Sequence, residues 1–270
     1  GVEQVYMDAF QRAVDYSKMP NTKRRDLELD ALVEIINGKR FITCHSYVQS
    51  EINMLLKVAE KFNFKVNTFT HILEGYKVAD KIKKHWGFVS TISDWWAYKL
   101  EVQDAIAYNA AIMQKTGLTV AINSDDAEMA RRLNQEAAKS IKYGNVNEEE
   151  ALKMVTLNPA KMLHIDKKVG SIKIGKDADV VLWSDNPLSI YTKALYTIID
   201  GVVYFDREKD AITRQQIANE KSRLIQKLLA EKKKPFNAGR MQPARARIDE
   251  INECEEDHKH QHSIFERDDE

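Results

Sequence analysis

In this 270-residue sequence, two histidines and an aspartate each directly follow a short apolar segment. His45 follows FITC, His71 follows FKVNTFT, and Asp125 follows LTVAINS. Imidazole nitrogens and a carboxylate oxygen suit Zn²⁺ or a similar divalent ion, which can keep a further position open for water. A carboxylate beside such an ion can also accept a proton from that water. The residue types therefore indicate metal-assisted hydrolysis, provided that the fold brings the three side chains together.

The elements that must position these residues follow a regular alternation after Lys39. Strand-like segments alternate with amphipathic, helix-like segments in units of roughly 25 to 30 residues. The four predicted strands are RFITC, FKVNTFT, GFVSTIS and LTVAINS. Such alternation predicts a parallel sheet with helices packed outside it. His45 and His71 are one repeat apart, so they should be neighbours at the carboxyl edge of that sheet.

Each candidate residue also has an ordinary structural interpretation. A lone histidine after a strand is commonly a loop residue, and Asp125 or its neighbour Asp126 could be the N-cap of the following helix. The aromatic residues Tyr47, Trp95 and Trp96 lie near the same predicted edge, where they could shape a substrate pocket or pack in the core. Spacing alone leaves these alternatives open.

Composition excludes several classes of protein. Apolar residues make up 43% of the chain, and 41 basic residues balance 41 acidic ones, which argues against a dedicated nucleic-acid binder. Only two cysteines occur, so neither a disulfide framework nor a cysteine zinc motif is expected. No apolar run approaches the length of a membrane span. The chain starts at Gly1 rather than Met, which suggests a processed chain or part of a longer one. The sequence does not identify the compartment, and a soluble protein of the cytoplasm or of the periplasm fits it equally.

Several motifs between residues 39 and 210 resemble the imidazolonepropionase-like branch of the amidohydrolase superfamily. They are CHSY, THILEGYKVADKI, STISDWWAYKLEVQDAIAYNAAIM, VAINSDDAEMARRLNQEAAK and MVTLNPAKMLHIDKKVGSIKIGKDADVVLWSDNPL. The resemblance implies an α/β fold: the carboxyl-terminal half of a (β/α)8 TIM-like barrel, part of a small β-sandwich and a C-terminal helix. One small departure is His164, where the family usually has glycine.

The resemblance also implies roles for individual residues. His45, His71 and Asp125 match the family's metal ligands, and the cofactor would be a divalent metal, zinc in the first instance. Asp125 would take a proton from the attacking water and pass it to the leaving nitrogen. His71 is a second catalytic candidate, as a ligand or as a group that polarises the substrate carbonyl. The implied activity is hydrolysis of a C–N amide-type bond in a small molecule, such as an amide, a dipeptide or a cyclic ureide.

A larger departure concerns what precedes His45. The family begins with sandwich strands and a first barrel strand that carries a His-x-His pair, and neither is found before His45 in this sequence. We therefore expect a partner in the missing amino-terminal half, together with homo-oligomerisation. An alternative is that the chain is a non-catalytic half that serves as a structural or binding partner. The predicted segments are a helical lead-in at 1–38, barrel strands five to eight at 39–168, sandwich strands at 169–206, a helix at 207–234 and a tail at 235–270.

Overall fold

The structure, a computed structural model, describes residues 1–20 and 24–232. Residues Gly1–Ile212 form one compact unit, and a second unit begins at Thr213. The predicted tail at 235–270 and the last two residues of the predicted helix at 207–234 lie outside the described residues. Within residues 1–20 and 24–232, no helix has the length and apolar character needed to cross a membrane.

The centre of the first unit is a four-stranded parallel sheet in the order β1-β2-β3-β4. Its strands are β1 (Thr43–Ser46), β2 (Thr68–His71), β3 (Phe88–Ile92) and β4 (Thr119–Asn123). Sequential order with parallel pairing is what helical crossovers between successive strands produce. The predicted α/β alternation with a parallel sheet is confirmed. His45 and His71 lie within the last two residues of their strands rather than after them.

Helices pack against this sheet and bury many of its apolar side chains. They are α1 (Val2–Ser17), α2 (Leu27–Ile36), α3 (Gln49–Phe62), α4 (Ala79–His85), α5 (Asn109–Thr116), α6 (Ala127–Ala130), α7 (Leu133–Gly144), α8 (Glu148–Lys153) and α9 (Leu157–Met162). The main core joins buried side chains of the strands, such as Phe69, Val89 and Val120, to those of the helices. Phe10 of α1 belongs to this core, stacked on Phe64 with ring centroids 4.5 Å apart.

Two segments whose apolar periodicity predicts a single long helix form shorter helices in the structure. The first, KLEVQDAIAYNAAIMQKTG, has a single 3₁₀ turn at Leu100–Val102 and then α5. Between them the Asp104 carbonyl accepts a hydrogen bond from the Tyr76 hydroxyl, 2.9 Å away. The second, NEEEALKMVTLNPAKML, is divided into α8 and α9. Pro159 explains the break, because proline clashes with the carbonyl four residues earlier, at Val155.

A separate antiparallel sheet follows, in the order β5-β6-β7. Its strands are β5 (Val180–Trp183), β6 (Ala194–Ile199) and β7 (Val202–Asp206). Asp200 and Gly201 join β6 to β7 with positive φ angles of 49° and 79°. Two such residues are typical of the tight turn that suits strand twist, and they close a hairpin between β6 and β7. Helix α10 spans Arg207–Lys232 and has no buried residue.

Candidate functional site

The sheet brings the two predicted histidines together at its carboxyl edge. Ser46 pairs with His71 across β1 and β2, so His45 lies diagonally opposite His71. Their ring centroids are 4.5 Å apart, with the rings inclined at 66°. His45 is exposed, whereas His71 is buried, with 9% of its surface accessible. An exposed imidazole and a buried imidazole therefore lie side by side at the carboxyl edge of the sheet.

The backbone at His71 has an unusual conformation. His71 has a φ of 68° and the following residue, Ile72, a φ of 28°. A positive φ is uncommon outside glycine, and for a β-branched residue such as isoleucine it is a genuine outlier. Each such residue costs on the order of 1–3 kcal/mol, and this strain occurs preferentially at functional sites. Ile72 is fully buried, so the surrounding core fixes this conformation.

The imidazole of His71 has an unsatisfied nitrogen. Its Nδ1 atom is buried and has no hydrogen-bond partner. Burial, and then the positive charge that His45 can carry, lower the pKa of His71, while the charge of Asp125 and the nearby side chain of Asn123 act in the opposite direction. The neutral form, which can offer a lone pair, is therefore favoured. The Asn123 Oδ1 atom is itself buried and has no hydrogen-bond partner within ordinary distance and angle limits. A buried nitrogen without a partner beside a second imidazole fits a divalent ion of the zinc type.

Asp125 lies just beyond β4 and is exposed, with a φ of 53°. Its charge acts on His71, so the two are electrostatic neighbours. The helix-capping role belongs to Asp126, whose Oδ1 accepts the Met129 N–H at 2.8 Å. Among residues 1–20 and 24–232, no three or more His, Cys, Asp or Glu side chains form a group that could hold a metal ion. The described residues thus contain a histidine pair with a nearby carboxylate, and not a closed ligand set.

The predicted substrate-contacting aromatic residues separate into two groups. Tyr47 lies against the histidine pair, with its ring centroid 4.6 Å from that of His45 and 5.7 Å from that of His71. Trp95 belongs to the same small apolar cluster as Tyr47, and its indole N–H donates to the Met129 sulfur at 3.0 Å. Trp96 instead packs edge-on against Tyr143 of α7. Tyr47 and Trp95 therefore line the region beside the histidines, while Trp96 contacts an outer helix.

A cation at this location was not found from the sequence. The Lys99 ammonium lies 4.4 Å from the ring centroid of Tyr47 and 5.2 Å from that of Tyr98, and it is ion-paired with Glu101. Its charge also acts on His71. The Tyr47 and Tyr98 hydroxyls are 3.3 Å apart, and burial followed by this contact raises the pKa of Tyr47 to about 12. In the sequence, Lys99 is marked only by its position directly after the aromatic segment WWAY.

Glu74 connects the loops that follow the two histidine-bearing strands. Its backbone N–H donates to the Tyr47 carbonyl at 3.0 Å, and its buried carboxylate accepts the Gln49 N–H at 3.0 Å. Lys77 pairs with the same carboxylate at 3.2 Å. These contacts hold the loop after β2 against the start of α3, next to the histidine pair.

A buried ionic network supports the loop that follows β3. Glu136 of α7 is 2% exposed, and its carboxylate accepts hydrogen bonds from the Ser93 hydroxyl and from Lys139. Lys139 also pairs with Asp94. Because Ser93 and Asp94 immediately precede Trp95, this network fixes the start of the aromatic loop.

Comparison with known proteins identifies relatives of this α/β chain. A model of the amidohydrolase family matches residues 101–209. Amidohydrolase tasK of Hapsidospora irregularis is 29% identical over 186 residues, covering 67% of this chain and 19% of that protein. The imidazolonepropionase of Picrophilus torridus is 28% identical over 150 residues, covering 56% of this chain and 36% of that enzyme.

A solved structure supports the same relationship. The crystal structure of an amidohydrolase from Thermotoga maritima MSB8 superposes with a TM-score of 0.67 at 28% sequence identity, covering 77% of this chain and 56% of that protein. The chain thus spans less than two thirds of each of these three relatives. The family match, the sequence relatives and the superposed fold agree, and all three relate this chain to the amidohydrolase superfamily.

Proposed function

We propose that this chain forms part of the active site of a metal-dependent hydrolase that cleaves a C–N amide-type bond. His45, His71 and Asp125 would hold a divalent ion, with zinc as the first choice. The observation that carries the proposal is the His45–His71 pair, in which the buried Nδ1 of His71 lacks a partner. Two imidazoles and a carboxylate are a donor set that suits zinc.

The proposed reaction divides its roles among few side chains. A divalent ion bound there would polarise the substrate carbonyl and acidify a water molecule. The Asp125 carboxylate would accept the proton of the attacking water and return it to the leaving nitrogen. His71 would serve as a ligand or would polarise the carbonyl oxygen. The ring of Tyr47 and the indole of Trp95 would flank the substrate, with Trp96 further out.

The substrate in this proposal is a small molecule with an amide, dipeptide or cyclic ureide group. Relatives named amidohydrolase and imidazolonepropionase support this class. The apolar, aromatic surface of Tyr47 and Trp95, with the Lys99 ammonium beside it, suits a compact ligand that has both apolar and polar parts.

The architecture proposed for the intact protein is a closed (β/α)8 barrel. The sheet β1–β4 would be strands five to eight, within residues 39–168, preceded by the lead-in at 1–38. The sheet β5–β7, within 169–206, would belong to a β-sandwich, and α10 would be its C-terminal helix. The remaining barrel strands and metal ligands would come from an amino-terminal half, and the enzyme would be a homo-oligomer.

The test measures zinc binding and amide hydrolysis by the intact protein and its variants. His45→Ala, His71→Ala and Asp125→Asn should each weaken Zn²⁺ binding or abolish turnover. His164→Gln is a matched control, because His164 bonds Asn67 at 2.8 Å near the amino end of β2. If the three variants bind Zn²⁺ and turn over as this control does, the proposed site is wrong.

A second function has a specific observation in its favour. Within the described ranges, no three-residue ligand group is assembled, which is what a non-catalytic half that acts as a structural or binding partner would present. The same variants distinguish the two proposals. An intact protein that binds no Zn²⁺ at these residues and hydrolyses no amide would favour the partner function.

A further inference from the structure

A directed chain of hydrogen bonds connects helix α5 to the backbone at His71. The Thr91 hydroxyl, on β3, donates to the His71 carbonyl at 3.0 Å. The side-chain amide of Asn109, the first residue of α5, donates to the Ile72 carbonyl at 2.9 Å and to the Thr91 hydroxyl at 3.0 Å. The Asn109 oxygen in turn accepts the Tyr76 N–H at 2.9 Å.

In this series of hydrogen bonds, the backbone partners determine which side-chain atom donates and which accepts. The Ile72 and His71 carbonyls can only accept, and the Tyr76 N–H can only donate. The Asn109 amide therefore has one permitted orientation, with its oxygen toward Tyr76, and the Thr91 hydroxyl must point its hydrogen at His71. A flipped amide would set oxygen against oxygen at Ile72.

Water cannot easily replace these bonds. Thr91 is fully buried, and Asn109 is 3% exposed. The two carbonyls that they bind belong to His71 and Ile72, the consecutive residues with positive φ. An uncommon backbone conformation persists only when its surroundings over-determine it. Asn109 and Thr91 supply that constraint with side chains that reach from the neighbouring strand and helix.

We propose that Asn109 and Thr91 are positioning residues that hold the strained His71–Ile72 backbone, so that the His71 imidazole faces His45 with an unpartnered nitrogen. They touch neither substrate nor metal and act through His71. This inference rests on the proposed function, in which His71 is a ligand. The inference identifies the side chains that orient the His71 imidazole, and the orientation of a ligand strongly affects metal affinity.

The first test replaces Asn109 with aspartate in the intact protein. Asn109→Asp keeps the side-chain shape but removes both donors and sets a carboxylate against the Ile72 carbonyl. Zn²⁺ affinity, measured by competition with a chromophoric chelator, should fall about 10–100-fold. Asn158→Asp is the matched control, since Asn158 is also buried and donates to a carbonyl, that of Val120, at 2.7 Å. Val120 lies near the amino end of β4, so this control should leave Zn²⁺ affinity unchanged.

The second test uses Thr91, in case Asn109→Asp does not fold. Thr91→Val retains the shape and removes the hydroxyl, so it should weaken Zn²⁺ binding in the same way. Thr91→Ser keeps the hydroxyl and should restore affinity close to the wild-type value. In metal-free protein with ¹⁵N-labelled histidine, the ring resonances of His71 should move in Thr91→Val and stay in place in Thr91→Ser.

The outcomes separate this inference from the proposed function. If His71→Ala weakens Zn²⁺ binding while Asn109→Asp and Thr91→Val match Asn158→Asp in affinity and in the His71 resonances, the positioning inference is wrong. If His71→Ala itself leaves Zn²⁺ binding unchanged, the proposed ligand role of His71 fails, and the inference fails with it. Loss of affinity in Thr91→Val that Thr91→Ser restores, with His71 resonances displaced, supports the inference.

Discussion

The chemistry available at the sheet edge depends on the state of one imidazole, that of His71. Burial and the adjacent His45 both disfavour its protonated form. Its Nδ1 atom meets no hydrogen-bond partner in the described structure. A buried polar atom in this condition normally indicates a missing ligand, ion or water. His71 is therefore the residue to which the proposed metal binding, the proposed carbonyl polarisation and the observed backbone strain are all connected.

Asp125→Asn tests the proposed proton transfer. The carboxamide cannot accept a proton at neutral pH, so turnover by the intact enzyme should fall by about 10²–10⁴-fold. Folding should change little, because asparagine tolerates the positive φ of this position well. Steady-state kinetics and urea unfolding measure the two effects.

The neighbouring aspartate provides the control for that variant. Asp126→Asn keeps a side-chain oxygen that can accept the Met129 N–H, since asparagine is a good N-cap. Its turnover should stay near that of the wild type. Equal loss of turnover in both variants would mean that the local charge, and not Asp125 as a base, supports catalysis.

His45 and His71 could be predicted as neighbours because they occupy equivalent positions in a repeating strand–helix unit. One strand–helix repeat separates His45 from His71, and a parallel sheet converts that repeat into adjacency. Asn109 and Thr91 carry no such pattern. Asn109 reaches a carbonyl 37 residues away in the sequence, and the contact exists only once β2, β3 and α5 have packed. Lys99 was missed for the same reason.

At the scale of elements, helix α7 connects to the aromatic loop through Glu136. Replacing Glu136 with glutamine removes the charge that pairs with Lys139 and disturbs the bond from Ser93. Because the carboxylate is 2% exposed, the loss should destabilise the intact protein by about 1–3 kcal/mol. Urea unfolding measures this change.

Glu128→Gln is a suitable comparison for Glu136→Gln. Glu128 pairs with Arg131, but both side chains are 72% exposed. Exposed pairs of this kind are worth roughly 0–1 kcal/mol. A destabilisation of Glu136→Gln no larger than that of Glu128→Gln would show that the buried network contributes little to the position of the loop.

A hydrogen bond to His85 just before strand β2 should make the free energy of unfolding depend on pH. The Val66 N–H donates to the Nε2 atom of His85 at 3.1 Å, a bond that requires unprotonated Nε2. Burial and then the charge of Lys65 lower the pKa of His85, while Glu60 acts in the opposite direction. The stabilisation is therefore complete above the unfolded pKa of about 6.5 and is lost as the pH falls below that value toward the lowered folded pKa.

His85→Gln measures that contribution. A glutamine oxygen can still accept from the Val66 N–H but does not titrate, so the loss of unfolding free energy between pH 7.5 and pH 5.5 should be smaller in the variant. His71, whose pKa is also lowered, should retain its own share of the pH dependence. An unchanged slope in His85→Gln would contradict the assignment to His85.

Element boundaries were harder to predict than element order. The four strands were predicted in order because each is a short apolar run between polar segments. The long helix predicted before β4 reduces to α5 and one 3₁₀ turn, since Tyr76 and Lys77 bind the chain at Asp104. Tertiary contacts of this kind override helical periodicity, and they cannot be read from the segment alone.

At the scale of the whole molecule, residues 1–20 and 24–232 expose apolar surface. Among the described residues, β1 and β4 each pair on one side only, although parallel sheets are normally buried. A cavity of about 940 Å³ lies between α8, α9 and β5, lined in part by Leu152, Leu157 and Val181. Leu163 and Ile172 on its wall are 67% and 88% exposed. These surfaces are consistent with the proposed amino-terminal partner.

We expect residues 1–270, expressed alone, to self-associate. Each large apolar side chain removed from water contributes about 1.5–3 kcal/mol, and several of them rival the total stability of a domain, about 5–15 kcal/mol. Association that covers the cavity wall and the strand edges is therefore favoured over an isolated chain. Sedimentation velocity across a concentration series should show weight-average size rising with concentration, and co-expression with the proposed amino-terminal half should suppress that rise.

A pair of surface variants identifies the face that associates. Ile172→Lys puts a charge on the cavity wall and should reduce self-association, because the charge would lose its hydration in the contact. Leu100→Lys changes a residue of similar exposure, 80% against 88%, outside the cavity lining, so it should leave association unchanged. A chain of residues 1–270 that sediments as a monomer at every concentration and unfolds cooperatively would refute the expectation. Such a result would mean that the chain buries its own apolar surface without a partner, and the half-barrel architecture would then be wrong.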